Sequence, residues 1–529
     1  MRQVPVPTVP SSTETVGPSR DSVLARSKES TRDVAALVQF RSACLRGRSR
    51  RRATYGLLVV AAITVLAAWL PALLPGALGS PRADQVLALL PGAYLGVLVI
   101  SLVSAGAAGG GRELLAREHA TPFPVSATTD HLGALLMAPL NLAWLLQAWL
   151  VLGATAYVVG PTPGLLLAQP LLLLWLCCGT ALGQAVAWVA EWLRRGRRGA
   201  WSVKAIVLVV AAVAAFVVGT GSTLPLVERA PTAAVSEATV AGARGDWLGW
   251  LAMLVVLGGL TLAALVFGGW MCARAARLPA RAEQRVESSP QSPRANPASD
   301  FAALVRTDRA GIWRSVPLRR GLGVLVVLPG LGALAGNLAW DMLTIMPGLV
   351  ASGGALLFGV NAWCLDGRGA LWRDSLPVGP RLVFAARVVV LLEVMALATS
   401  VTLVLGSIRA GAPTAAQLAA VLCTAVVMCL QVVATSLRWS VRRPYPVDLR
   451  SARATPAPPL VMVGYSTRLA FATTLVALLF TVTSSAGHWQ WSLLVAAPFL
   501  ARSARKLVRT SREWATPETR ALVVSTVAS

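Results

Sequence analysis

Asp300-Phe-Ala-Ala-Leu-Val305 stands just before a membrane-length apolar run, and it repeats Asp33-Val-Ala-Ala-Leu-Val38, which stands just before another. At the same shift Arg319 lines up with Arg52, and Gly323-Val-Leu-Val-Val327 with Gly56-Leu-Leu-Val-Val60. This is a direct repeat that divides the chain into two similar halves. Repeated halves in a membrane chain imply two like bundles facing each other across a pseudo-two-fold axis. Such an architecture serves to move something across a bilayer.

Composition agrees with a membrane setting. Of 529 residues, 55% are hydrophobic and only 13% are charged, and the mean hydropathy is +0.64. A soluble globule carries about 25% charged residues, so most of this surface faces something other than water. The net charge of +25 comes almost wholly from arginine. Nucleic-acid binders place such charge on a polar fold. Here it falls in the gaps between apolar runs, which excludes a nucleic-acid partner and fits the positive-inside rule. Seven cysteines show no disulfide framework, and three histidines with an adjacent Cys177-Cys178 pair give no metal-ligand spacing, so no metal site is expected. No secretory signal peptide is visible near the start.

A helix needs about 20 apolar residues to span the hydrocarbon core, and about twelve runs meet that criterion. They lie near 53–75, 84–108, 132–159, 164–192, 201–220 and 246–272, then near 321–340, 344–363, 382–408, 414–436, 467–485 and 489–503. The expected fold is therefore an all-α integral membrane protein, with two parallel six-helix repeats because six is even. With the N-terminus inside, the inside segments hold roughly 42 basic residues and the outside loops about 4. That bias places both termini in the cytoplasm, and the high Ala, Gly and Arg content with almost no Lys suggests a bacterial plasma membrane. Residues 1–30 read as a disordered cytoplasmic N-terminus, 31–275 as the first six-span domain with its interfacial helix, and 276–299 as a cytoplasmic linker. Residues 300–510 read as the second domain, again with an interfacial helix, and 511–529 as a cytoplasmic tail.

Two kinds of segment stand out between the spans. Val34, Leu37 and Val38 recur as Phe301, Leu304 and Val305, on one face of a helix, with arginines close by. This spacing predicts a helix in the cytoplasmic interface, with its apolar side in the lipid bilayer and its arginines among headgroups. The second kind is the loop after the second span of each half. It runs from Asn361 to Arg381 in one half, with Asp366, Gly367, Arg368 and Pro377. In the other it runs from Gly111 to Ser126, with Arg112, Glu113, Pro124 and Val125. Both contain a Gly-Arg start, a short mixed helix and a Pro-Val stop. Asp366 or Asp374 suits the start of a short helix and Pro377 its end.

The phrase Asn-x-x-x-x-Asp-Gly, followed by a short amphipathic stretch and Leu-Pro-Val before the next span, resembles the permeases of ABC-2-type exporters. The helix before the first span of each half is similar to theirs too. The resemblance covers both halves and implies two six-span units fused in one chain. It implies an interfacial helix and a coupling helix in each unit, both contacting a separate cytoplasmic ABC ATPase, with two such subunits in all. ATP and Mg would bind on that partner, and this chain would be the pathway for an exported substrate rather than an enzyme. Asp366, Gly367 and Pro377 match the motif, whereas the first half lacks the Asp-Gly pair and offers Glu113 as its nearest acid. The chain has only three lysines and no Gly-x-x-x-x-Gly-Lys-Ser/Thr, so it has no phosphate-cradling loop of its own.

Glu393 reads as an acid in the middle of the ninth span, within reach of Arg387. An acid there marks a functional site by default. It supports the alternative of an ion-coupled carrier of the major facilitator type, which also has six plus six parallel spans.

Overall fold

The computed structural model describes residues 30, 32–37, 39, 48–108, 126–138, 142–196, 199, 201, 229–278, 295, 297–446 and 459–528. Among them there is no strand. The first half contributes α1 (Arg48–Trp69), α2 (Pro81–Ala108), α3 (Ala127–Leu136), α4 (Leu142–Val159), α5 (Leu165–Arg195), α6 (Pro231–Ala243) and α7 (Trp247–Ala276). The second contributes α8 (Asp300–Arg314), α9 (Val316–Ala335), α10 (Trp340–Leu343) and α11 (Met346–Gly354). It continues with α12 (Ala370–Asp374), α13 (Pro380–Ser407), α14 (Ala415–Arg442), α15 (Pro459–Ser485), α16 (Gln490–Ala515) and α17 (Pro517–Ala528).

Local chemistry sets many of the boundaries. Ser126, Asp246 and Ser299 each accept a free backbone N–H in the first turn of α3, α7 and α8, from Thr129, Gly249 and Ala302. Thr414 and Gln417 cap each other reciprocally at the start of α14. Proline opens α6 and α13, where its missing N–H costs nothing. Residues 355–359 widen into a π-turn before the Asn361 loop.

Among the described residues, eight helices are long and apolar enough to cross a membrane: Thr54–Leu73, Pro81–Val103, Leu165–Arg195, Trp247–Ala276, Leu318–Ala335, Trp340–Gly359, Pro380–Ser407 and Ala415–Arg442. Large apolar side chains stand exposed along them, including Leu57, Leu58, Leu66, Leu248, Val255, Leu262 and Val266. Bands of that kind suit lipid and not water. The chain is a multi-pass, all-helical membrane protein.

Four expected spans depart from this list. Within the run at 132–159, α3 ends at Leu136 and α4 begins at Leu142, with Trp144–Val159 its apolar part. Residues 202–220 lie outside the described residues. The run at 467–485 falls in α15, with Phe471–Ser485 its apolar part. The run at 489–503 belongs to α16, which is apolar early and strongly basic from Arg502 to Arg512.

Packing repeats in a simple pattern. In the first half α4 rests on α1, and α2 and α7 both rest on α5. In the second, α13 rests on α9, and α11 and α16 both rest on α14. Trp250 on α7 donates to the Leu167 carbonyl at 3.0 Å, and Arg195 donates to the Ala275 carbonyl at 2.7 Å. Those two contacts make α5 and α7 run parallel. On α14 and α16, Lys506 Nζ donates to Thr435 Oγ1 at 3.0 Å and Arg442 pairs with Glu513 at 2.6 Å. Each step is seven residues on both helices, so this pair runs parallel as well. Between the halves, α2 touches α9 and α4 touches α15.

Candidate functional site

The most concentrated polar structure is a node of four charges on the second half. It joins α8, the Asn361 loop, α12 and α13. Asp308 lies in the apolar stripe of α8, one turn from both Leu304 and Ile312, and all three are buried. A carboxylate there must find a partner, because an unpaired buried charge is prohibitively costly.

Arg387 on α13 supplies it. Its Nε donates to Asp308 Oδ2 and its Nη2 to Oδ1, both at 3.0 Å. The same Nη2 reaches Asp366 Oδ1 and Oδ2 at 2.8 and 2.9 Å, and Nη1 donates to the Ala362 carbonyl. Arg373 of α12 closes the ring, with Nη1 at 2.5 Å from Asp308 Oδ1 and 2.7 Å from Asp366 Oδ1. The Arg387 side chain is fully buried and Asp308 is 1% exposed. Burial acts to raise the Asp308 pKa. The Arg387 and Arg373 guanidiniums outweigh it and hold the carboxyl below its ordinary value.

The surroundings fix this geometry. Trp363 stacks on Trp514 at 3.9 Å between centroids, and the Arg387 guanidinium stands 4.9 Å from the Trp363 ring. Trp514 donates to the Pro380 carbonyl at the start of α13. Ser440 accepts from the Ala362 N–H at 2.7 Å, and Asn361 Nδ2 donates to the Tyr445 carbonyl at 2.8 Å. Gly367 has φ +47°, a left-handed turn that favours glycine and lets the chain double back behind Asp366. Cys364 is buried, which pushes its thiol up to about 12 and leaves it inert.

Two carboxylates and two guanidiniums make the node neutral. It has no nucleophile and no free acid or base. Its capacity is mechanical: it ties an amphipathic helix, a short loop helix and a long membrane helix into one body. Among the described residues no three His, Cys, Asp or Glu side chains are gathered to hold a metal.

The sequence-predicted residues divide as follows. Asp366 is in the node, but its carboxylate is taken by arginines and does not cap the turn that follows. Gly367 and Arg368 lie in that turn, and Pro377 is an exposed residue between α12 and α13. Leu304 and Val305 are in the core of the second half and Phe301 packs against it, on the stripe whose Asp308 reaches Arg387. Val34 is buried and Leu37 half-buried. Val38, Arg112, Glu113, Pro124 and Val125 lie outside the described residues.

Glu393 differs from expectation in two ways. Its side chain is 39% exposed, and it pairs with Arg309 of α8 rather than with Arg387. The contact is two-pronged, at 2.5 and 2.8 Å. Arg387 is unavailable because Asp308 and Asp366 hold it.

Residues 511–529, expected as a tail, include α17, which folds back on α12 and its preceding turn. Val523, Val524 and Val527 are buried there, and Arg520 pairs with Asp374 at 2.8 Å. Leu371 and Trp372 remain 58% and 66% exposed on α12.

Sequence reading missed Asp308 and Arg373 as functional residues. The signal for Asp308 was present: an acid at the fourth place between Leu304 and Ile312 breaks an apolar stripe. No family model, curated protein or solved structure matches the chain.

Proposed function

We propose that this chain is the membrane-spanning permease subunit of an ATP-driven, ABC-2-type exporter, with two parallel six-span halves in a bacterial plasma membrane and both termini in the cytoplasm. The parallel courses of α5 with α7 and of α14 with α16 support the equal build of the halves. In each half the fourth and sixth proposed spans lie side by side and point the same way.

The observation that carries the reading is the Asp308–Arg387–Asp366–Arg373 node. A force on α12 has no soft joint to dissipate in. It passes through Arg373 and Asp366 to α8 and α13 together. Exposed Leu371 and Trp372 offer the contact face for a separate ATPase, which would bind ATP and Mg. Glu393 gives less support to an ion-coupled carrier, because a proton-carrying acid must be free to release its partner and Arg309 grips both oxygens.

The test is purification of the full chain from its native membranes after crosslinking, with identification of what accompanies it. The expected result is an ATPase at about two copies per chain, in keeping with one per half of a two-fold repeat. Replacement of Leu371 and Trp372 by Asp should release it. Absence of any nucleotide-binding subunit from crosslinked membranes would overturn the reading.

A further inference from the structure

The inner ends of α14 and α16 carry an excess of positive charge. Lys506 donates to Thr435 Oγ1 at 3.0 Å, and Thr435 in turn donates to the Gln431 carbonyl, so the lysine is held in place. Arg502 lies one turn before Lys506 on α16, and Arg438 lies one turn after Thr435 on α14. Helical spacing therefore brings the three cations to one seam between the two parallel helices.

Their mutual repulsion is visible in Lys506. Its half-buried position, followed by the charges of Arg438 and Arg502, pushes its pKa below the ordinary lysine value. The acid on this stretch, Glu513, stands two turns further on and gives both oxygens to Arg442 at 2.6 and 3.0 Å. Among the described residues, Arg438, Arg502 and Lys506 have no carboxylate partner. The contrast with the node is direct: there two arginines meet two aspartates, whereas here Lys506 meets a hydroxyl, with Arg438 and Arg502 one turn away on either helix. A cluster of like charges, two of them half-buried, calls for an anion from outside the chain.

Position narrows the source. Thr435 stands 20 residues into α14, about 30 Å along its axis, which matches the thickness of the hydrocarbon core. The seam is thus at headgroup level, on the side that the arginine bias marks as cytoplasmic. Leu494, Pro498 and Arg502 are exposed at successive turns of α16, so an apolar face leads down to the seam.

We infer that Arg438, Arg502 and Lys506 form a binding site for a phosphate group, supplied by the headgroup of an anionic phospholipid of the inner leaflet. The two guanidiniums offer paired donors to phosphate oxygens and the ammonium offers a point charge. Acyl chains would lie along the Leu494–Pro498 face. This site is independent of the exporter reading, since it needs only the membrane and the α14–α16 pair.

The experiment uses the full chain in detergent, with native mass spectrometry during titration of phosphatidylglycerol, phosphatidylcholine or inorganic phosphate. Phosphatidylglycerol should bind in preference to phosphatidylcholine. The pair Arg438→Gln and Arg502→Gln should weaken it about thirtyfold, from the usual attraction of two basic residues for an anionic surface. The pair Arg274→Gln and Arg277→Gln, at the end of α7, should leave it unchanged. If the first pair fails to fold, Lys506→Met gives the same comparison with the aliphatic stem retained. Full displacement of the lipid by inorganic phosphate would keep the phosphate site and assign it a soluble anion. Equal binding by the wild type and the Arg438/Arg502 variant, or an equal loss in the α7 control, would sink the proposal.

Discussion

The Arg387 guanidinium on α13 lies edge to edge with the Asp308 carboxylate on α8, Nε on Oδ2 and Nη2 on Oδ1, each at 3.0 Å. The two residues are 79 positions apart and both are buried. Their pairing decides where α8 sits. A helix whose spacing suits a lipid surface turns its stripe toward the core, where its acid meets both Arg387 and Arg373.

Substitution of Asp308 by Asn should therefore be costly. It leaves Arg387 and Arg373 buried with Asp366 alone between them. The expected loss is about 3–5 kcal/mol, the usual cost of removing one partner from a buried ion pair. Thermal denaturation of the detergent-solubilised chain measures it. In an Arg387→Gln background the same change should cost much less, so a double-mutant cycle isolates the pair.

The same pair gives a pH dependence. The folded Asp308 carboxyl titrates below its ordinary value, and the unfolded value is about 3.9. Its contribution is then complete above about pH 4–5 and is lost as pH falls through the lower folded value. Melting temperatures of the wild type and of Asp308→Asn should differ by a constant amount near neutrality. They should converge below about pH 4 as the wild-type carboxylate is protonated. A difference that persists unchanged in acid would contradict the assignment.

Removal of α17 should loosen the loop it covers. Val523, Val524 and Val527 are buried in it and Arg520 holds Asp374. Each fully buried valine contributes about 1.5–3 kcal/mol, so truncation after Thr516 exposes α12 and the part of α14 that α17 covers. Faster amide exchange or proteolysis within residues 366–379 is the expected outcome.

Gly164 tests the outer end of the first half. A Cβ built there would stand 2.0 Å from the Ala243 carbonyl oxygen, a backbone atom that cannot step aside. Gly164→Ala should push α6 away from the start of α5 and cost roughly 1–3 kcal/mol, as overpacking does. An unchanged melting temperature would show that the two segments separate freely.

Much of the fold was legible in the residues, and the reason is the solvent. Bilayer thickness imposes a length of about 20 residues on every crossing, so spans such as Leu165–Arg195 and Ala415–Arg442 could be read from hydropathy alone. Within the run at 132–159 the structure has α3 ending at Leu136 and α4 beginning at Leu142, a break that summed hydropathy does not register. The run at 489–503 is the apolar first part of a longer helix that turns basic. Of the candidate site, Asp366 and Gly367 were legible from their motif. Arg373 and Arg387 were not, since an arginine near a span end looks the same whether it faces headgroups or an aspartate.

Sequence by itself determined the membrane class, the helical content and most span boundaries, because these follow from local hydropathy and capping. Only the tertiary structure decided which charges meet. Asp308 joined Arg387, Glu393 went to Arg309, and Lys506 went to the Thr435 hydroxyl. Partner choice depends on helix rotation and depth, set by the packing of whole bundles. No single stretch of chain contains that information.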